Sequence, residues 1–173
     1  MHHPVTTRYA ENEREMDDLI AAVSGLEIQK LFLTPNIDAG SDGVSAALRR
    51  YRDGNPSDAG FYKYFNPPDY YKVFSHAAVA VGNSSSFIRE SAFLGIPVVI
   101  VGDRQQGRER GPNALEVGFR KDDIVSAINH QLTHGKYAAS DLFGDGTAAE
   151  KIIRILADMN LRNFPRQKKF HEQ

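Results

Sequence analysis

The chain has 173 residues, a formal charge of −1 at neutral pH and no cysteine. That length suits one domain with a core of its own, and the balanced charge leaves no electrostatic case for nucleic acid or an anionic membrane as partner. Absent cysteine excludes disulfides and thiolate metal sites, in keeping with a cytoplasmic protein, and no apolar run approaches the roughly 20 residues of a membrane span.

In chain order, His3 precedes Pro4 and is biased to extended backbone. By itself it reads as a terminal histidine, beside a His2 that could belong to a tag. A helix is predicted over 8–24, with Met16, Leu19, Ile20 and Val23 on one side and Gly25 as its stop. A strand follows at 28–33, closed by Pro35, then the 36–43 loop and a helix over 44–52. The stretch 53–60 is rich in Gly, Pro, Ser and Asp and reads as a loop. Next come a strand at 61–65, a helix at 67–75 and an apolar strand at 77–81. A small polar turn leads into a helix carrying Glu90, followed by a strand at 97–101 and a short one near 114–117. Helices over 121–133 and 147–159 complete the pattern, so that 1–159 forms the domain and 160–173 a helical extension or tail.

Strands alternating with helices in this way make an α/β, Rossmann-like domain, a parallel sheet with helices on both faces and right-handed crossovers. The Gly-x-Gly-x-x-Gly fingerprint is missing, so neither a nicotinamide nor a flavin is expected, and no cofactor is expected at all.

Gly82-Asn83-Ser84-Ser85-Ser86 sits between a buried strand and a helix start, where unpaired backbone N–H groups and the positive end of a helix dipole favour an anion. Glu90 lies four residues past Ser86, on the same predicted face, where a carboxylate can accept hydrogen bonds from both hydroxyls of a ribose. The plainer reading is a capped helix, with Ser84 or Ser85 as N-cap and Glu90 paired to a surface cation. Just past the 97–101 strand, Arg104, Arg108 and Arg110 form a basic loop at the sheet end where ligands collect. An arginine fork suits diphosphate oxygens, and Arg104 is the first choice for that role, Arg108 the second. Asn36 follows Pro35 at a strand end, either as a turn-former or as a ligand offering donor and acceptor. Phe65 reads as core. His76, His130 and His134 lack partners at metal-ligand spacing and are expected at the surface, with no metal site.

The run from Asn83 to Arg110 resembles the C-terminal half of the UDP-N-acetylglucosamine 2-epimerase family, and specifically its hydrolysing branch. His3-Pro4-Val5-Thr6-Thr7 and Pro35-Asn36-Ile37-Asp38-Ala39-Gly40-Ser41 resemble two further family motifs in the same order. The resemblance implies the second of the two Rossmann-like domains of a glycosyltransferase-B-type fold, with UDP and a UDP-N-acetylhexosamine as ligands. It implies that an N-terminal domain is missing and that the full-length enzyme is a cytoplasmic homodimer. By the same resemblance His3, Asn36, Phe65, Ser84, Ser85, Glu90, Arg104 and Arg108 bind substrate. His3 and Arg104 then stabilise the departing UDP, and Phe65 lines the uracil pocket. The reaction implied turns UDP-N-acetylglucosamine and water into N-acetylmannosamine and UDP, a step toward sialic-acid-type sugars, through UDP elimination and hydration of a glycal. No acid/base carboxylate can be nominated in this chain, which alone is expected to be inactive. Arg49 and Arg50 fall where animal relatives bind a feedback inhibitor, but Asp42 and Ala46 stand where those relatives carry basic residues. Two other readings stay open: the donor domain of a glycosyltransferase, and a non-catalytic module that binds a UDP-sugar.

Overall fold

Val98–Val101 is four consecutive β-branched residues, and in the computed structural model, which describes residues 1–54, 56–159 and 167, they form a strand buried on both faces. The strands are β1 (Lys30–Leu33), β2 (Ala59–Tyr62), β3 (Ala80–Gly82), β4 (Val98–Val101) and β5 (Ala114–Val117). The helices are α1 (Asn12–Ser24), α2 (Ser41–Asp53), α3 (Pro67–Ser75), α4 (Arg89–Leu94), α5 (Lys121–His134) and α6 (Ala148–Asp158). Met1–Phe143 and Gly144–Gln173 are two compact units, and all five strands belong to the first. In the second, α6 exposes Ile152, Ile153, Ile155 and Leu156. The tail expected over 160–173 lies, apart from residue 167, outside the described residues.

Side chains alternate across β4, and each face meets its own helices. Val99 and Val101 join Met16 and Leu19 of α1, Val44 and Leu48 of α2, and Ile124 and Ile128 of α5. Val98 and Ile100 join Phe74 of α3 with Phe87, Ile88 and Ile96. The fold is therefore α/β and Rossmann-like, with every strand pair parallel. Two buried amides tie the layers together: Gln131 of α5 donates to the carbonyls of Val98 and Asn113, and Asn113 donates to the carbonyl of Ile96.

Three local departures from the sequence reading have physical causes. The strands fall into two sheets, β1-β2 and β3-β4-β5, with a cleft between them rather than one continuous sheet. The second strand is Ala59–Tyr62, earlier than the 61–65 expected, because the Lys30 amide donates to Asp58 and the Lys30 ammonium pairs with the Asp58 carboxylate, which sets the register. Phe65 is thereby left in the loop that follows. The first helix opens as a 3-10 segment, Thr6–Glu11, and becomes α-helical only at Asn12. There the Asn12 side chain holds both the amide and the carbonyl of Val5, at 2.8 and 3.2 Å.

Candidate functional site

The C-terminal ends of β3 and β4 gather the residues of interest around one buried amide, that of Asn83. Its Oδ1 accepts from the His3 amide at 2.7 Å and its Nδ2 donates to the His3 carbonyl at 2.8 Å. The Asn83 backbone carbonyl accepts from the Arg104 guanidinium at 3.2 Å and from the Gln105 amide at 2.7 Å. The N-terminal motif and the basic loop therefore meet at a residue that sequence reasoning treated only as part of a turn.

His3 is buried, and its Nδ1 accepts the amide N–H of Asn36 at 3.1 Å. Burial first, then the nearby Arg104 and N-terminal charges, hold its pKa down to about 4, with Asp38 pulling the other way. A neutral ring whose Nδ1 is an acceptor carries its proton on Nε2, so His3 offers an N–H donor without a charge. His2 is buried as well, packed edge-on against Phe119, and its pKa falls to about 3 chiefly through burial. Neither histidine sits like a tag remnant.

The turn differs from expectation. Ser84 is an N-cap, accepting weakly from the Ser86 amide at 3.4 Å, but it caps a single 3-10 turn, Ser85–Phe87. The α-helical part, α4, spans only Arg89–Leu94. Ser86 and Glu90 thus do not share one regular helix, and the dipole available to an anion is that of a short turn. Ile88, with φ −104° and ψ −52°, separates the two segments. Tyr70 of α3 reaches the turn: its hydroxyl meets Ser86 Oγ at 2.5 Å. Its pKa is raised first by burial, with the Glu90 charge adding to the rise. Among the described residues, Glu90 Oε2 is shielded from solvent and lacks a hydrogen-bond partner, so this carboxylate is not paired as a surface cation's partner would be.

The basic loop separates into different roles. Arg104 is half-buried at Asn83, Arg108 is exposed, and Arg110 is paired with Glu116. Asn36 reaches the cluster through its backbone, its side chain being exposed. Phe65 packs beside Tyr62, the rings tilted with centroids 5.0 Å apart, and lines the inter-sheet cleft. Ser85 is exposed on the turn. Arg50 is held by Glu13 and Asp17 between α1 and α2, which gives it a packing role.

Sequence reasoning missed Asn83, Gln105 and Tyr70 as members of the cluster, and a charged group beside it. Arg8 reaches Asp103 at 2.7 Å and Glu15 at 3.3 Å, and burial raises the pKa of Glu15. The only available signal was Asn83 in the quoted turn, because a buried amide bridging distant segments has no periodicity. No cluster of three or more metal-ligating side chains occurs among the described residues, and none of their helices is long and apolar enough to cross a membrane. Chemically, the arrangement offers one neutral N–H donor, one guanidinium and turn amides, and nearby in sequence a carboxylate without a hydrogen-bond partner among the described residues.

The chain belongs to the UDP-N-acetylglucosamine 2-epimerase family, whose profile matches residues 1–157. A UDP-N,N'-diacetylbacillosamine 2-epimerase (hydrolyzing) from Legionella pneumophila is 29% identical over 163 residues, covering 94% of this chain and 43% of that protein. A UDP-N-acetylglucosamine 2-epimerase from Neisseria meningitidis serogroup B is 30% identical over 183 residues, covering 98% and 45%. The chain thus spans less than half the length of these curated relatives. The crystal structure of Methanocaldococcus jannaschii UDP-GlcNAc 2-epimerase in complex with UDP-GlcNAc and UDP superposes with a TM-score of 0.67 at 15% identity, over 86% of this chain and 41% of that one. At that identity the likeness is one of fold.

Proposed function

We propose that this member of the family is the UDP-holding, C-terminal part of a hydrolysing UDP-N-acetylglucosamine 2-epimerase, working in the cytoplasm toward sialic-acid-type sugars. The observation that carries the reading is the Asn83 cluster, which brings His3 and Arg104 to the mouth of the Ser84–Ser86 turn while Glu90 stays unpaired beside Tyr70. The diphosphate is bound by Arg104, the Nε2–H of His3 and the turn amides at Ser84 and Ser85, with Arg108 as a second cation at the rim. Glu90 accepts from the ribose hydroxyls. Asn36 and Phe65 are assigned to the sugar and uracil side.

In the proposed reaction a base removes the C2 proton of the hexosamine and UDP leaves from C1, giving a glycal. Water then adds across the double bond, hydroxyl to C1 and a proton to C2 with inverted configuration. The products are N-acetylmannosamine and UDP. Negative charge grows on the leaving diphosphate, and donors already fixed there stabilise it without reorganising. The base is assigned to the polypeptide this chain does not span: Asp103 is engaged by Arg8, Glu15 by burial and Glu90 by the ribose, while Asp38, whose charge is felt at His3, is exposed on a turn. The names of the two relatives support the reaction class and differ in the sugar.

The test is to incubate the 173-residue chain with UDP-N-acetylglucosamine, and in parallel with UDP-N,N'-diacetylbacillosamine, in deuterated water. UDP shifts NMR signals of His3, Glu90 and Arg104, while no sugar deuterated at C2 is released. Turnover abolished by a substitution within this chain, or shifts confined to other residues, overturns the reading.

A further inference from the structure

Arg104 stands at the second position of a hydrogen-bonded turn, Asp103 to Gln106, in which the Gln106 amide donates to the Asp103 carbonyl at 2.8 Å. The turn leaves β4 through Gly102, whose amide donates to the Val117 carbonyl at 2.9 Å. Gly102 has φ +82°, and a Cβ there would lie 2.8 Å from the Phe119 ring, so this exit requires glycine. The far side of the turn is tied down by Gln105, whose buried side-chain amide donates to the Asn83 carbonyl at 2.7 Å. The near side is tied at Asp103, and the tie comes from Arg8.

Arg8 is the residue with non-helical backbone inside the 3-10 segment Thr6–Glu11, at φ −124° and ψ 43°. Its Nη2 meets Asp103 Oδ1 at 2.7 Å and Glu15 Oε1 at 3.3 Å. Glu15 lies in the first turn of α1 and is buried, with Arg8 as its only ion-pair partner among the described residues. Burial raises the pKa of Glu15, and the Arg8 charge opposes the rise. Arg8 Nε and Glu15 Oε2 are both shielded from solvent and lack a partner among the described residues. The guanidinium is thus not forked onto Glu15 in a bidentate pair but shared with Asp103, whose side chain is largely exposed. Burying a carboxylate is costly, and an ion pair to an exposed one contributes little stability. Orientation is what the arrangement can supply. Its buried end holds the guanidinium still, and its outer end holds the residue next to Arg104.

We propose that Glu15, Arg8 and Asp103 form a positioning relay that fixes the turn carrying Arg104, and so sets the guanidinium that a nucleotide diphosphate meets. Arg8 and Asp103 are positioning residues, acting through Arg104 rather than on the ligand. The proposal rests on the assignment of Arg104 to the diphosphate. Two tethers then bracket that residue, Arg8 at Asp103 before it and Asn83 at Gln105 after it. Charge and position predict opposite signs at Asp103. If its carboxylate acts only through its field, removing it takes a negative charge away from an anionic ligand, and UDP binds more tightly. If it holds the turn, removing it frees Arg104, and UDP binds more weakly.

The experiment titrates UDP and uridine into the 173-residue chain and into Asp103→Asn, Arg8→Gln, the double variant and Arg104→Ala. Asp103→Asn and Arg8→Gln each weaken UDP at least about threefold and leave uridine unchanged, and the double variant loses no more than the more affected single one. Tighter UDP binding by Asp103→Asn, or a double variant restored to the parent's affinity, overturns the inference in favour of a field effect. Equal losses for uridine overturn it too, because the whole site is then disturbed. If Arg8→Gln fails to fold around Glu15, the exposed Asp103→Asn decides alone. A second readout needs no nucleotide. Amide relaxation of the free chain shows a more mobile Arg104 in Asp103→Asn than in the parent, and equal mobility overturns the inference. Full UDP affinity in Arg104→Ala sinks the diphosphate assignment, whereas affinity lost in Arg104→Ala and kept in Asp103→Asn sinks the relay alone.

Discussion

Asn83 and His3, eighty positions apart, exchange two hydrogen bonds through one side-chain amide, at 2.7 and 2.8 Å. A side chain that pairs with a backbone N–H and C=O at once replaces a ladder contact and holds the N-terminal segment in extended form. The same residue passes its own carbonyl to Arg104 and Gln105, so one buried position sets the placement of both candidate diphosphate ligands.

Asn83→Ala is therefore expected to lower stability and UDP affinity together. Each buried group left unsatisfied costs roughly 1–3 kcal/mol, less whatever water recovers. Urea unfolding reads the stability, and the His3 ring signals read the detachment. An unchanged midpoint together with an unchanged His3 spectrum would show that the latch holds nothing.

Glu90→Gln is expected to weaken UDP more than it weakens 2′,3′-dideoxy-UDP. The unpartnered Oε2 is the motive, since a charged acceptor bond is worth roughly 1.5–3 kcal/mol, or about tenfold to a hundredfold in affinity. Calorimetric titration of both ligands decides it. Equal losses would return Glu90 to a structural role at the start of α4.

Arg104→Ala separates diphosphate from nucleoside. UDP affinity falls at least about tenfold and the loss shrinks as salt is raised, whereas uridine binds the variant and the parent alike. In the full-length enzyme, turnover falls by more than the Michaelis constant rises, because the partner charge develops as UDP leaves. A matching loss for uridine would mean that the variant has disturbed the Asn83 cluster instead.

Acidification tests the two histidines. Burial leads the causes that hold His2 at about 3 and His3 at about 4, both below the ordinary 6.5. Below pH 6.5 the unfolded chain takes up protons that the folded chain refuses, so their contribution lowers stability as pH falls from about 6.5 toward 3. Above 6.5 both states are neutral and the contribution vanishes. Ring-proton NMR titration is expected to leave both residues uncharged at pH 5.5. A midpoint near 6.5 for either would mean that its ring is solvated rather than buried.

Much of this protein was readable from local pattern. The helix at Pro67–Ser75 and the strand at Ala114–Val117 have the expected bounds, the helix because proline at a helix start acts over a few residues. Glu90 and Arg104 were singled out as candidates by their places next to predicted element ends, whereas His3 was singled out only through the family resemblance. Phe65 was misplaced because the register of β2 depends on Lys30 meeting Asp58, a contact 28 positions long. The short 3-10 turn at Ser85–Phe87 escaped as well, since a change from 3-10 to α geometry within a few residues leaves no mark on apolar spacing.

The sequence by itself determined the alternation of strands and helices and the parallel pairing of the strands. Only the tertiary structure decided that Asn83 joins the N-terminal motif to the basic loop, that Tyr70 meets Ser86, and that β1 and β3 belong to separate sheets. The reason is range. Periodicity and capping report what a residue does with neighbours a few positions away, while a buried amide or an open strand edge is defined by partners that come near only when the chain has folded.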